Sequence, residues 1–247
     1  MDYKSIFISD IHLGTKRCQA KLLLNFLKYN KCETLYLLGD IIDGWKIQRN
    51  KFDFDQDHLD VSKKLLGLSK KIDIYYIIGN HDEFFKAIIP YHNELGNIKI
   101  FETYEYLALD GKKYLLAHGD MFDGIQSVSK YLSFLGDKGY DFILELNGKF
   151  NWLLRKFGFR YWSLSKYLKL KVKKAMSFIY EYEQNITSYC KRKGLDGVIC
   201  GHIHHPEIKT INDLAYMNCG DWVESCTALV ETFDGKWRIV EWKEKIK

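Results

Sequence analysis

The chain has 247 residues, 47% of them apolar, with a formal net charge of +5, enough to bury a sizeable core as one domain with an elaboration or two small ones. Charges interrupt every stretch long enough to span a bilayer, and Met1-Asp2-Tyr3-Lys4-Ser5 lacks the order of a signal peptide, so a soluble, cytoplasmic protein is expected. The six cysteines are scattered without a Cys-x-x-Cys pair, which excludes a disulfide framework and reads as reduced, buried thiols.

A strand over residues 3–9 leads into Ser9-Asp10-Ile11-His12, and an amphipathic helix follows near Cys18 to Tyr29, with Leu22, Leu23, Phe26 and Leu27 on one face. The apolar run Leu35 to Leu38 stops at Gly39-Asp40-Ile41-Ile42-Asp43, and a second helix is predicted near Gln56 to Ser69. Ile74 to Ile78 runs into Gly79-Asn80-His81-Asp82, then a short helix carries Phe84 and Phe85. Three short strands near 97–101, 104–109 and 112–117 follow, the last pair joined at Asp110-Gly111 and ending at His118-Gly119-Asp120. From 123 to 194 the period becomes helical: Phe142, Leu146, Phe150, Leu153 and Phe157 recur at spacings of three and four, as do Leu168, Val172, Ala175, Ile179, Tyr182 and Ile186. Strands return at 196–200, ending at Gly201-His202-Ile203-His204, then at 207–217 with a turn at Asn212-Asp213, 226–233 and 236–242. The chain thus reads as a single α/β domain over 1–247, with 123–194 a helical insertion within it.

Five apolar runs stop at residues able to hold cations, the places where α/β folds keep their ligand sites. Asp10 and His12, two apart, are expected to leave one face of a strand end and grip one cation; His202 and His204 repeat that spacing. Asp40 can lend its two oxygens to two cations, Asn80 offers a neutral carbonyl and His118 another imidazole. This mixed oxygen and nitrogen set suits Mn²⁺ first, with Fe²⁺ or Zn²⁺ as alternatives. Any one of these residues has an ordinary structural reading: Asp10 and Asp43 as helix caps, Asn80 and Asp82 in an Asx turn, a histidine as a hydrogen-bonded core residue. His58 and His92 are read as surface residues and His205 as exposed or behind the ligands.

Taken in order, Asp-x-His, Gly-Asp-x-x-Asp, Gly-Asn-His-Asp, a lone histidine and Gly-His-x-His resemble the calcineurin-like metallophosphoesterases. The resemblance implies a two-sheet β-sandwich flanked by helices. It implies two divalent ions, one held by Asp10, His12, Asp40 and His204 and the other by Asp40, Asn80, His118 and His202. It makes His81 and Asp82 the catalytic residues, with His81 facing the phosphoryl group as a cationic stabiliser or proton donor and Asn80 and His81 also touching substrate. A hydroxide shared by the two cations would attack phosphorus in line. No Gly-x-Ser-x-Gly elbow or Walker loop competes.

Between Ile125 and Gly194 stand 14 Lys/Arg against 5 Asp/Glu and 15 of the 38 aromatics, so the insertion is suited to something both anionic and greasy. It is read as a cap over the metals that accepts lipid, since burying about ten methylenes gains roughly 8 kcal/mol gross, and that can rest on anionic headgroups at the inner face of the cytoplasmic membrane. The layout, with Gly220-Asp221-Trp222 after it, resembles the UDP-2,3-diacylglucosamine pyrophosphatases of the lipid A pathway, which release UMP and 2,3-diacylglucosamine 1-phosphate. The chain departs from them in carrying His81 where they carry arginine. Asp123, Lys171 and Lys174 are the expected substrate contacts. A phosphodiesterase or nuclease and a non-catalytic scaffold are the alternatives, but no nucleic-acid module is present and no nucleic-acid partner is expected.

Overall fold

The structure is a computed structural model and describes residues 2–123 and 164–243. The chain divides into two compact units, Met1–Asp123 with Glu183–Lys247, and Gly124–Tyr182. Most of the second unit, including the repeat from Phe142 to Phe157, lies outside the described residues. Its described part is the first portion of helix α4 (Leu164–Arg192), whose residues from Glu183 onward belong to the first unit.

In the first unit the described strands form two mixed sheets. Seven strands take the order β12 (Trp237–Glu241), β11 (Thr227–Glu231), β1 (Asp2–Ile8), β2 (Lys31–Leu38), β3 (Asp73–Ile77), β5 (Ile98–Phe101) and β4 (Glu94–Leu95). The other five take the order β6 (Tyr104–Leu107), β7 (Lys113–Leu116), β8 (Gly197–Cys200), β10 (Leu214–Asn218) and β9 (Glu207–Ile211). In the first sheet β1, β2, β3 and β5 run parallel; in the second β7, β8 and β10 do.

Strict alternation along the strands builds two cores. Ile6, Ile8, Leu35, Leu37, Ile74 and Tyr76 face α1 (Ala20–Tyr29) and α3 (Gln56–Leu68), where Leu23, Phe26, Leu27, Val61 and Leu65 meet them. Their neighbours Phe7, Tyr36, Leu38 and Ile77 point to the other face and pack on Tyr106, Tyr114, Leu116, Ile199 and Met217 of the five-stranded sheet. The Phe7 and Tyr36 rings stack at 4.8 Å, with Tyr106 edge-on to Phe7 at 5.2 Å, an arrangement favoured by the ring quadrupoles.

Among the described residues the strands and helices expected outside 123–194 are present with ends displaced by up to three residues, and the second helix expected within that stretch extends over Leu164–Arg192. The structure adds two short ones, α2 (Gly44–Gln48) and β4, too brief for periodicity to reveal. His58 corrects the surface reading: it is 3% exposed and closes a capping box at the start of α3, accepting from Asp55 N at 3.2 Å while its own N–H donates to Asp55 Oδ1 at 3.1 Å. His92 and His205 are exposed. All six cysteines are reduced; Cys190, Cys200, Cys219 and Cys226 are buried while Cys18 and Cys32 are half-buried against the core, and burial pushes the thiols of Cys18, Cys32 and Cys190 up to about 12. Among the described residues no helix is long and apolar enough to cross a membrane.

Candidate metal centre

The carboxyl ends of β1, β2, β3, β7 and β8 deliver Asp10 and His12, Asp40 and Asp43, Asn80 to Asp82, His118, and His202 and His204 to one edge of the sandwich. The two sheets are stitched together there. His118 Nδ1 donates to Leu38 O at 2.9 Å, Ser9 Oγ donates to Gly220 O at 2.9 Å, Trp222 N donates to Asp10 O at 3.0 Å, and His202 N donates to Asp10 Oδ2 at 2.9 Å. The close approach requires glycine: a Cβ on Gly39, itself at φ +79°, would stand 2.5 Å from the His118 ring, and one on Gly201 would stand 2.5 Å from Asp10 Oδ2.

The convergence of Asp10 with His12, and of His202 with His204, corrects the strand-face argument. These residues lie beyond the strands, and Asp10, His12, Asp40, His202 and His204 all have left-handed backbone, with φ of 52°, 54°, 54°, 69° and 55°. Ile11 and Ile203 between them are buried. Left-handed residues, not pleat alternation, aim the donor atoms, and such strain concentrates at functional sites.

Asp40 is the hub. It is 3% exposed; His118 Nε2 lies 3.4 Å from its Oδ1, and His12 Nε2 and His81 Nε2 each lie 3.8 Å from its Oδ2. His81 N also donates to Oδ1 at 2.8 Å. Asn80 Oδ1 accepts from His118 Nε2 at 3.2 Å. On the far side His204 Nε2 lies 3.0 Å from Asp10 Oδ1, an oxygen buried without a hydrogen bond. The His202 ring meets the His118 ring edge-on at 5.0 Å, and its Nε2 donates to Asp123 Oδ2 at 2.7 Å. Among the described residues, donor atoms fall within 4.8 Å of one another in three groups: Asp10, His12 and His204; Asp10, Asp40 and His118; and His12, Asp43 and His81.

The last group contains a residue that sequence reasoning gave only a capping role. Asp43 does cap α2, accepting from Lys46 N at 3.0 Å, but its Oδ1 also lies 3.1 Å from His81 Nδ1 and its Oδ2 3.8 Å from His12 Nδ1. The spacing Gly-Asp-x-x-Asp was its one signal. The Trp45 ring lies 3.9 Å from the His81 ring, centroid to centroid, covering one face of the imidazole. Asp82, paired in the sequence reading with His81, is placed differently. It is fully buried, and its two oxygens accept from Ile41 N at 2.8 Å, from Gly79 N and from Tyr76 Oη, so it ties the β2 and β3 loops together. Lys171 and Lys174 fall on α4, and their side chains lie outside the described residues.

The electrostatics demand positive charge. Burial alone would raise the Asp10 carboxyl, but His204 and His118 hold it down at about 2; burial likewise opposes, and His118, His12 and His81 outweigh it, in holding Asp40 below the usual range. Burial would lower the histidines, yet Asp10 draws His204 up to about 9 and Asp40 draws His118 well above its ordinary value. Asp82 moves the other way, pushed up to about 6 by burial and by the Asp40 charge. Among the described residues no Lys or Arg pairs with Asp10, Asp40 or Asp43, so imidazoles are the charged groups set against these carboxylates. Buried carboxylates facing imidazoles without fixed cations, with Asp10 Oδ1 lacking a hydrogen bond, fit hard to borderline divalent ions.

The family model for calcineurin-like phosphoesterases matches residues 3–206. The chain belongs to that family. A calcineurin-like phosphoesterase domain therefore carries the cluster, and divalent metals are the ions it is built to hold. Curated relatives include the UDP-2,3-diacylglucosamine hydrolase of Blochmanniella pennsylvanica, 32% identical over 135 residues, which are 51% of this chain and 52% of that protein. The protein of the same name from Histophilus somni strain 2336 is 35% identical over 123 residues, 47% of this chain and 49% of that one. The matched stretch thus spans about half the length of these relatives. A further UDP-2,3-diacylglucosamine hydrolase, from Shewanella sp. strain ANA-3, is 24% identical over 257 residues, 94% of this chain and 95% of its own.

Proposed function

We propose that this calcineurin-like phosphoesterase hydrolyses a phosphoanhydride or phosphodiester at a centre of two divalent cations held by Asp10, His12, Asp40, Asn80, His118, His202 and His204. The observation that carries the reading is Asp40: a nearly fully buried carboxylate approached by three imidazoles and by no Lys or Arg among the described residues. When bound, the cations would activate water for attack on phosphorus and neutralise charge growing on the phosphoryl oxygens. The protein's own groups do the rest. Asp43 faces His81 Nδ1 and Trp45 covers the ring, so the imidazole is held with Nε2 as the atom that delivers a proton to a phosphoryl or leaving-group oxygen. Asp82 takes no part in proton transfer in this scheme; its three hydrogen bonds keep the loops bearing Asp40 and His81 in register.

The substrate proposed is UDP-2,3-diacylglucosamine, cleaved to UMP and 2,3-diacylglucosamine 1-phosphate, or a related lipid-linked nucleotide. The names of the curated relatives support it, as does the basic, aromatic composition of 123–194, proposed here as a cap. Mn²⁺ is the metal proposed, and attachment to the inner face of the cytoplasmic membrane through the cap follows from the same composition. Protein reconstituted with Mn²⁺ should release UMP rapidly from UDP-2,3-diacylglucosamine and turn over bis-p-nitrophenyl phosphate poorly. Turnover of the simple diester alone would retain the two-cation chemistry and overturn the lipid substrate.

A further inference from the structure

The hydrogen bond between His202 and Asp123 reassigns a residue that the sequence reads as a substrate contact. We propose that Asp123 is a positioning residue for His202: its carboxylate fixes the imidazole as the Nε2–H tautomer, so that Nδ1 is the nitrogen able to hold a cation. The inference rests on the two-cation reading above.

Geometry carries it. The Nε2 to Oδ2 distance is 2.7 Å, and the side chains are only 9% and 21% exposed, so water competes weakly for either partner. The contact is built locally from His118. Gly119, at φ +122°, reverses the chain; the 3-10 turn Asp120–Phe122 follows, with Phe122 N donating to Gly119 O at 3.0 Å and Asp123 N donating to Asp120 O at 3.1 Å. The Phe122 ring packs edge-on against Tyr189 at 5.3 Å, anchoring that turn to α4. One short segment thereby supplies the His118 imidazole and orients the His202 ring, which stands edge-on to it.

The backbone of His202 is already fixed from the other sheet by its N–H bond to Asp10 Oδ2 at 2.9 Å. The remaining freedom is the ring's rotation and its tautomer, and a carboxylate on one ring nitrogen sets both. Asp123 Oδ1 is buried with no hydrogen bond, and among the described residues no Lys or Arg pairs with this carboxylate.

The test uses Asp123→Ala and Asp123→Asn in the full chain, with tautomer and metal binding read without substrate and KM read separately by steady-state kinetics. In metal-free wild-type protein, ¹⁵N NMR of the imidazoles should show His202 protonated at Nε2, and Asp123→Ala should lose that hydrogen-bonded signal. Calorimetric titration with Co²⁺ should show one of the two ions bound about 10- to 100-fold more weakly in Asp123→Ala, with most of the loss recovered in Asp123→Asn, whose amide oxygen still accepts. An alanine variant with the wild-type tautomer, wild-type affinity for both ions and only a raised KM would overturn the proposal and return Asp123 to the substrate. Wild-type protein that takes up fewer than two Co²⁺ ions would instead sink the two-cation reading, and the tautomer measurement would then decide the role of Asp123 alone.

Discussion

The two sheets make unequal contributions to the centre. The loops leaving the seven-stranded sheet bring the carboxylates Asp10, Asp40, Asp43 and Asp82, together with Asn80, His12 and His81. Those leaving the five-stranded sheet bring His118, His202 and His204, with Asp123 behind them. His118 and His204 reach Asp40 and Asp10 only when the sheets pack, so the site depends on the sandwich interface at Phe7, Tyr36 and Leu38 as much as on its own donors. The difference also assigns jobs: one side holds the buried carboxylates with His12 and His81 beside them, and the other adds His118 and His204 to the imidazoles that neutralise them until cations do.

Removing the hub should have the largest effect. Asp40→Ala is expected to release both cations and reduce hydrolysis to background, because no neighbouring carboxylate can take its place between His12, His81 and His118. Elemental analysis showing two metals per chain in that variant would refute the assignment. His81→Ala should keep both metals and lose about 10²- to 10⁴-fold in kcat, the usual worth of a positioned proton donor. Metal loss in this variant would make His81 a ligand and break the division between holding and reacting groups.

A smaller effect tests the charge argument. Without metal, Asp10 sits at about 2, below its unfolded value, so its pairing stabilises the fold above that value and is lost as pH falls through about 2. His204 sits at about 9 and His118 is also raised, so their pairing is fully present below their unfolded value near 6.5 and is lost as pH rises, through about 9 for His204. At pH 7.5 the metal-free protein therefore carries imidazolium where a cation needs neutral nitrogen. Metal uptake should release about two protons per chain, measurable by calorimetry in buffers of different ionisation enthalpy. Release of none would mean that imidazoles are already neutral and that the paired picture fails.

The fold was legible because alternation and three-to-four spacing are properties of single segments: Ile6 and Ile8 against Phe7, or Leu23, Phe26 and Leu27 along α1, need no partner to be recognised. The strand-end motifs were legible for a chemical reason, since few uses other than ligation call for that combination of residues at five strand ends. What escaped has no local signal. A capping aspartate and an aspartate facing an imidazole are the same letter, and Asp43 is both. Asp82 beside His81 suggested shared chemistry, whereas its carboxylate turns away to Tyr76 and two backbone N–H groups. The bond from Asp123 to His202 spans 79 positions, and no spacing rule connects them.

The left-handed backbone of the site residues was also invisible in the sequence, and it gives the smallest effect and the sharpest test of the contrast between strands and loops. His12, at φ 54°, has its N–H held by Asp40 O at 2.9 Å, so its conformation is imposed by the neighbouring loop. Both His12→Ala and His12→Gly remove the imidazole. Alanine keeps the Cβ that disfavours a positive φ, while glycine does not, and that relief outweighs the greater entropy glycine loses on folding. In metal-free protein the glycine variant should therefore be more stable than the alanine variant by about 1 kcal/mol, read from urea midpoints at equal m. Equal midpoints would mean that the loop relaxes once the ring is gone and that the imidazole, not the chain around it, sets the conformation. The same pair of substitutions at Ile6, within a strand of ordinary φ, should reverse the order, because there glycine has only its entropy cost and no strain to relieve.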